Sequence, residues 1–190
     1  LSTSTINRII RRNGLLPRRD CQGVGIKRFE WAHPNELWQV DFKGPVKLAE
    51  GLCHPLSMID DHSRFAVGLF PLAGQRTQPV KACFTRVFEQ YGVPDAVLMD
   101  HGTPWWTSAR GTGLTRLSIF LIKQGVRIYH SRFCHPQTQG KVERFHRTLG
   151  QYLYHHGKPE NFKEMSKQLG GFRKEYNEFR PHEALSMAIP

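Results

Sequence analysis

The stretch HPQTQGKVERFHRTL, residues 135–149, passes from a polar loop into an amphipathic helix. At ~100° per residue, one side of this helix carries the apolar side chains of Val142, Phe145, Leu149 and Tyr152. Glu143 falls on the opposite side, in the first turns of the helix and among several cations. An acidic side chain at this place has an ordinary structural explanation, because it stabilises the positive end of the helix dipole. Two aspartates upstream favour a chemical role instead.

Those aspartates are Asp41 and Asp100, and each follows a short apolar run that is typical of a buried strand. Gly44 and Gly102 follow them within three residues. A carboxylate at a strand end can face a cleft, and hard cations such as Mg²⁺ take oxygen ligands and keep several waters. A pair of metal ions can activate the attacking oxygen of a phosphodiester displacement and stabilise the leaving oxygen. The sequence therefore predicts a site for Mg²⁺ or Mn²⁺, in a two-metal arrangement, on Asp41, Asp100 and Glu143.

The composition indicates a globular chain with a polyanionic partner. The 190 residues carry a formal net charge of +11, and the pI is near 9.9. Such a charge favours nucleic acid, although a merely basic protein would also show it. No apolar run approaches the ~20 residues needed to span a bilayer, and no signal peptide is evident, so no membrane partner is predicted. The four cysteines are scattered, which predicts free thiols in a cytosolic protein.

Periodicity predicts a mixed α/β sheet, an antiparallel meander extended by parallel strands. Alternating or continuous apolar runs predict five strands, at residues 37–42, 54–59, 65–71, 96–99 and 126–129. Helical spacing predicts four helices, at residues 78–91, 114–124, from 138 onward, and 162–179. Residues 1–30 read as a separate unit, a basic N-terminal helix over 2–14 followed by a linker. This helix is either the remnant of a helix-turn-helix or a basic linker helix, and residues 31–190 form the main domain.

Five blocks in this order resemble the catalytic core of insertion-sequence transposases with an Asp-Asp-Glu triad, within the retroviral integrase superfamily. The blocks are WQVDFKG (38–44), IDDHSRF (59–65), DHGTPW (100–105), HPQTQGKVERFHRTL (135–149) and YNEFRPHEAL (176–185). The resemblance covers roughly residues 30–190. It implies a ribonuclease H-like fold with three antiparallel and two parallel strands flanked by helices. It places Asp41 on the central first strand, Asp100 just past the fourth, and Glu143 on a helix crossing the same edge.

The chain departs from the family pattern at two places. His101 stands where such transposases often carry Asn, and it is expected either to contact DNA or to tune Asp100. The separation of 43 positions from Asp100 to Glu143 is longer than in many integrases. An insertion over residues 105–115 would account for it.

The resemblance implies metal-dependent cleavage of DNA at an element end, followed by attack of the freed 3′-hydroxyl on a target phosphodiester. It also implies a homo-oligomer on paired DNA ends and action at the nucleoid of a prokaryotic cytoplasm. Two alternatives remain open at this point. One is a metal-dependent nuclease of the same fold that cuts without joining, and the other is a nucleic-acid-binding relic without catalysis.

Basic and polar side chains around the carboxylates are candidates for DNA contact, since cations neutralise phosphates and an exposed ring can stack on a base. The candidates are Lys43, Gln137, Gln139, Lys141, Arg144, Arg147 and Trp105. Ordinary surface charge, or a core-capping role for Trp105, would explain the same residues. Asp60 and Asp61 are expected to bond backbone in a turn, with an ion pair to Arg64 as a further option. The 176–185 block is expected to pack beneath the site.

Overall fold

The architecture comes from a computed structural model that describes residues 30–106, 114–130 and 140–190. The predicted N-terminal helix over 2–14 lies outside the described residues, as do Gln137 and Gln139.

The centre of the fold is a mixed sheet. Its strands are β1 (Trp38–Phe42), β2 (Val46–Leu48), β3 (Gly51–Asp60), β4 (Ala66–Leu72), β5 (Ala96–Met99) and β6 (Arg127–His130). β3 pairs antiparallel with β1 on one side and with β4 on the other, while β5 pairs parallel with β1 and β6 pairs parallel with β5. The order across the sheet is therefore β4-β3-β1-β5-β6, with β1 at the centre. The predicted sheet of three antiparallel and two parallel strands is confirmed.

The short strand β2 was not predicted. It pairs antiparallel with the first residues of β3, so that Val46 lies opposite Cys53. β1 pairs with the other end of β3, where Phe42 lies opposite Leu56. β2 therefore extends the β1 edge after the Gly44–Pro45 interruption. Three residues with one exposed lysine, Lys47, carry too little pattern to be recognised as a strand.

The helices occupy both faces of the sheet. They are α1 (Thr77–Tyr91), α2 (Arg116–Lys123), α3 (Gly140–His155) and α4 (Phe162–Glu178), followed by a 3-10 turn at Glu183–Leu185. Gly92, at a φ of 83°, ends α1 and donates its N–H to the Phe88 carbonyl. Thr115 and Ser118 form a capping box that starts α2. The predicted helices are thus present, with boundaries shifted by one or two residues where the chain is described.

Two cores form because side chains of a strand alternate between faces. Trp38 and Val40 of β1 join the core beneath α1 and α2. The core beneath α3 and α4 contains Ile59 of β3, and also Val142 and Phe145. No helix within the described ranges combines the length and the apolar character needed to cross a membrane.

Asn177 at the end of α4 closes the outer edge of the sheet. Its Oδ1 accepts from the Ala66 N–H at 2.8 Å, and its Nδ2 donates to the Ala66 carbonyl at 3.2 Å. Asn177 is 7% exposed, so both strand groups would be left without these partners if the amide were removed. The amide takes the place of a neighbouring strand at this point of β4.

We expect Asn177→Ala to lower the free energy of unfolding by about 1–3 kcal/mol, because two buried backbone groups lose their hydrogen bonds. Asn177→Asp should also destabilise, since a carboxylate cannot donate to the Ala66 carbonyl. Urea unfolding followed by tryptophan fluorescence measures the change, with exposed Glu178→Ala as the neighbouring control. An Asn177→Ala midpoint equal to that of the control would contradict this account of the sheet edge.

Candidate active site

Asp41 lies on the central strand β1, on the face of the sheet that α3 covers. Its register partner on β3 is Ser57, which is fully buried. The Asp41 Oδ1 accepts from the Phe42 N–H at 2.8 Å. The side chain is 23% exposed, so one part of the carboxylate contacts solvent while the rest is enclosed. This placement results from the β alternation that sends Trp38 and Val40 to the opposite core.

Asp100 follows directly after β5, the parallel neighbour of β1. Parallel strands end at the same edge of a sheet, and clefts form there in open α/β folds. The Asp100 Oδ1 accepts from the Gly102 N–H at 2.9 Å. A Cβ at Gly102 would lie 2.9 Å from the Asp100 Oδ2, so a side chain there would displace the carboxylate. His130 Nδ1 lies 3.0 Å from the Asp100 carbonyl and can donate to it in the corresponding tautomer.

Glu143 lies in the first turn of α3 and is exposed. Val142, Phe145 and Leu149, the residues of the predicted apolar stripe, are fully buried against the sheet. Tyr152 is partly buried, and Leu153 joins the buried face. The helix therefore presents its apolar side to the core and leaves the Glu143 carboxylate outside it.

The three carboxylates interact through their charges. The pKa of Asp41 is raised from 3.8 to about 6, first by burial, then by the negative charge of Asp100, and to a lesser extent by that of Glu143. The hydrogen bond from the Phe42 backbone opposes this rise. Carboxylates from β1, the end of β5 and α3 therefore converge on one region, and the pKa of Asp41, which is partly buried, is raised there. Their repulsion is the kind that a bound cation relieves.

These donors fit a hard divalent cation by their chemistry, because all of them offer carboxylate oxygens. Within residues 30–106, 114–130 and 140–190, no three His, Cys, Asp or Glu side chains lie close enough together to form a ligand set. Asp100 and Glu143 are thus near enough to Asp41 to raise its pKa, but the three carboxylates are more widely spaced than the ligands of a closed coordination shell.

His146 is a part of this region that the sequence analysis missed. Its Nε2 lies 2.9 Å from the Ser57 Oγ, and its Nδ1 lies 3.8 Å from the Asp41 Oδ2. The pKa of His146 is lowered to about 4, first by burial and then by the positive charge of Lys43. The ring is therefore neutral at physiological pH and packs against Asp41 without adding charge. Its position one helical turn after Glu143 is a weak sequence signal, because that spacing alone does not show which sheet residues lie beside the ring.

Lys141 lies in a buried ion pair instead of on an open surface. Its Nζ lies 2.5 Å from the Asp61 Oδ2 and 2.9 Å from the Asp61 carbonyl. The side chain of Asp61 is fully buried and that of Lys141 is 15% exposed. Burial lowers the pKa of Lys141, and the Asp61 carboxylate opposes this shift. In this structure the Lys141 ammonium thus has a protein partner, Asp61, and its contact with DNA stays a prediction.

Trp105 is likewise not available for base stacking. It is 1% exposed, and its ring packs 5.5 Å from that of Phe42. The prediction of Trp105 as a DNA contact is therefore corrected, and the core-capping alternative holds. Trp106 is 36% exposed, and its ring lies 5.1 Å from the rings of both His101 and His130. The sequence could not separate the adjacent tryptophans, because both follow a turn of polar residues.

Asp60 and Asp61 differ in their partners although they are adjacent. The Asp60 Oδ1 accepts from the N–H and hydroxyl of Ser63, as expected for a turn aspartate. Arg64 donates to the carbonyl of Asp61 and pairs with Glu30 at 3.0 Å, so its ion pair is not with the Asp61 carboxylate.

The remaining candidate cations lie around the carboxylates. Arg144 and Arg147 are exposed on α3, and Lys43 is half-buried beside it. A Cβ at Gly150 would lie 3.9 Å from the Lys43 Cε, which places the Lys43 side chain along the same helix.

The 176–185 block packs beneath α3, as the sequence predicts. The ring of Tyr176 lies 4.7 Å from that of Phe145 and 4.7 Å from that of His182. The end of α4 thus supports the helix that carries Glu143.

Solved structures share this fold. A chain of the simian T-cell lymphotropic virus intasome, in complex with PP2A regulatory subunit B56 gamma, superposes with a TM-score of 0.67 at 16% identity, over 81% of this chain and 52% of that one. The HTLV-2 integrase catalytic core domain in complex with magnesium superposes with a TM-score of 0.61 at 13% identity, over 80% of this chain and 92% of that one. The catalytic core domain of BIV integrase superposes with a TM-score of 0.58 at 20% identity, over 78% of this chain and 87% of that one. The fold is therefore ribonuclease H-like, as in integrase catalytic cores.

A curated relative and family models extend the comparison to sequence. The insertion element IS407 uncharacterized 31.7 kDa protein of Burkholderia multivorans is 27% identical over 190 residues, which cover 97% of this chain and 66% of that protein. The chain therefore spans just under two thirds of this relative's length. One integrase core domain model matches residues 32–136, more than half of the 190, and a second matches residues 124–190. The chain belongs to the integrase core domain family.

Proposed function

We propose that this chain is the catalytic core of a DNA transposase that cuts and joins phosphodiesters with Asp41, Asp100 and Glu143. The observation that carries the proposal is the electrostatic coupling of three carboxylates from β1, the end of β5 and α3 in a chain of the integrase core domain family. The relative from an insertion element supports DNA transposition as the biological setting. Neither a nuclease that only cuts nor a relic without catalysis is favoured by this family match.

The three carboxylates would hold Mg²⁺ or Mn²⁺, in the two-metal arrangement expected from the sequence. A cation bound there would supply Lewis-acid activation of the attacking oxygen and stabilisation of the leaving oxygen. The pKa of Asp41 is raised by burial and by the negative charges of Asp100 and Glu143, and the repulsive part of this shift supports the role, since a cation relieves it. The HTLV-2 core of the same fold is in complex with magnesium.

The chemistry consists of two displacements at phosphorus. In the first, the oxygen of a water molecule bonds to the phosphorus at the element end, and the bond to the 3′-oxygen breaks to leave a 3′-hydroxyl. In the second, that hydroxyl bonds to a target phosphorus and releases a target 3′-hydroxyl, so one phosphodiester replaces another. No covalent bond to the protein forms, and the side chains act by binding and orienting the reacting groups.

The DNA partners are the element ends and the target, engaged by a homo-oligomer at the nucleoid in the cytoplasm of a prokaryote. Exposed Arg144 and Arg147, together with Lys43, are suited to neutralise phosphates near the carboxylates. Gln137 and Gln139 precede α3 in sequence and are proposed to contact the DNA backbone or bases.

Replacing a single carboxylate should strongly reduce joining. Asp41→Asn, Asp100→Asn and Glu143→Gln are each expected to reduce strand transfer by about 10²–10³-fold, because metal stabilisation contributes several kcal/mol and ~1.4 kcal/mol is tenfold in rate. The assay measures how fast a labelled duplex oligonucleotide with a free 3′-hydroxyl is joined to supercoiled plasmid in the presence of Mn²⁺.

Exposed Glu89→Gln on α1 is the matched control for Glu143→Gln and should retain wild-type joining. Joining by Glu143→Gln at the control rate would remove Glu143 from the site. A wild-type chain that nicks the plasmid but never joins the label would instead favour a nuclease.

The raised pKa of Asp41 predicts a pH-dependent cost of folding when no metal is present. The folded pKa of about 6 exceeds the ordinary 3.8, so the native state holds the proton more tightly than the unfolded state. This contribution to stability is fully present below pH ~4 and is lost as the pH rises through about 6. Asp41→Asn does not titrate and escapes this loss.

In chelator we therefore expect Asp41→Asn to be more stable than wild type at pH 8, by about 1–3 kcal/mol after allowance for solvent screening. The difference should shrink towards zero below pH 4. Thermal unfolding across this pH range measures it, with Asp95→Asn as the control because that side chain is 66% exposed. A difference that does not change with pH would contradict the burial and repulsion assigned to Asp41.

A further inference from the structure

The first turn of α3 is held by a side chain from another element. The first N–H groups of a helix lack acceptors within the helix and need partners elsewhere. The Val142 N–H donates to the Gln39 Oε1 at 3.3 Å. Gln39 is 1% exposed and lies on β1, two residues before Asp41. The strand that carries one carboxylate of the site thus caps the helix that carries another.

Asp61 joins this cap to the helix through Lys141. The Gln39 Nε2 donates to the Asp61 Oδ1 at 2.8 Å, which orients the amide so that its oxygen faces α3. The Asp61 Oδ2 receives the Lys141 ammonium at 2.5 Å. Lys141 and Val142 immediately precede Glu143 and lie in the same helical turn. Lys141 and Val142 are therefore bound by the buried side chains of Asp61 and Gln39, respectively. We call Gln39, Asp61 and Lys141 together the α3 clamp.

The clamp is itself hydrogen-bonded to other parts of the fold. The Asp61 N–H donates to the Leu37 carbonyl at 2.9 Å, beside the start of β1. The Asp61 Oδ2 also accepts from the Trp31 N–H at 3.0 Å, and the Asp61 carbonyl accepts from the Arg64 guanidinium. Asp61 therefore cannot shift without breaking bonds to several segments.

Stability alone is a weak reason for such a unit. A buried ion pair often returns less than its desolvation cost, and apolar side chains of similar volume can replace it without loss. Buried polar groups are best attested as devices that fix register. In α3 the register decides where Glu143 lies, because a slip of one residue rotates a side chain by ~100°.

We propose that Gln39, Asp61 and Lys141 are positioning residues that set the rotation of the first turn of α3 and so hold the Glu143 carboxylate on the side of Asp41. This inference rests on the proposed role of Glu143 as a metal ligand. It also gives Lys141 a task in the reaction that does not involve contact with DNA.

Hydrogen exchange tests the clamp without reference to metal. Lys141→Met and Gln39→Leu should each accelerate amide exchange in residues 140–145 by about tenfold, because the turn loses its anchor. Lys141→Arg should keep more protection than Lys141→Met, since a guanidinium can still donate to the Asp61 carboxylate. Exposed Lys167→Met on α4 is the matched control for the same substitution. Exchange is carried out on the full chain in chelator, and mass spectrometry of its peptides gives the rates for residues 140–145. Asp61→Asn/Lys141→Met provides a variant without an unpaired buried charge.

Calorimetric titration with Mn²⁺ tests the link to Glu143. Losing a residue that orients a ligand typically weakens metal binding 10–100-fold. Lys141→Met should show a loss of this size, and Lys141→Arg should recover most of it. In a Glu143→Gln background, Lys141→Met should cause no further loss, because the ligand that it positions is already gone.

Wild-type exchange rates in Lys141→Met and Gln39→Leu would overturn the clamp. Faster exchange with unchanged Mn²⁺ affinity, or an equal loss of affinity with and without Glu143, would overturn the positioning role. Absence of Mn²⁺ binding by the wild type would contradict the proposed function of the triad. The exchange rates would then still decide whether the three residues hold the turn.

Discussion

The site depends on holding like charges together at the end of a sheet. Burial of Asp41 and the negative charges of Asp100 and Glu143 together raise the pKa of Asp41, so its ionised form is disfavoured at this place. The parallel pairing of β1 with β5 brings the two aspartates to the same edge. Burial of the apolar face of α3 against the sheet supplies the free energy that holds the third carboxylate nearby. The proposed function and stability therefore place opposite demands on Asp41, since the carboxylate proposed to bind a cation is one whose ionised form is disfavoured without it.

The division of the sheet into two faces separates these tasks. The face beneath α1 and α2 is packed with apolar side chains and supports the fold. The face beneath α3 combines an apolar core with the polar side chains of Gln39, Asp41 and Ser57, which contact the helix. β1 contributes to both faces because of its two-residue alternation. One central strand thus supplies the core, the cap of α3 and a carboxylate of the site.

Much of this arrangement could be predicted from local patterns. The apolar stripe of α3 follows from the 3.6-residue period, and the strand before each aspartate follows from its apolar run. The pairing of Lys141 with Asp61 could not be predicted, because the partners are 80 residues apart and no local pattern joins them. Trp105 and Trp106 have the same chemistry, and only the packing of Trp105 against Phe42 distinguishes them. His146 escaped notice because a histidine on a helix has no specific signature until Ser57 and Asp41 are placed beside it.

The central claim is that the three carboxylates form one cation site, and calorimetric titration with Mn²⁺ tests it most directly. We expect saturable binding to the wild-type chain that is lost in Asp41→Asn, since Asp41 is the carboxylate on which the charges of both Asp100 and Glu143 act. Exposed Asp95→Asn should bind as the wild type does. Equal Mn²⁺ binding by Asp41→Asn and the wild type would place the cation elsewhere and contradict the account.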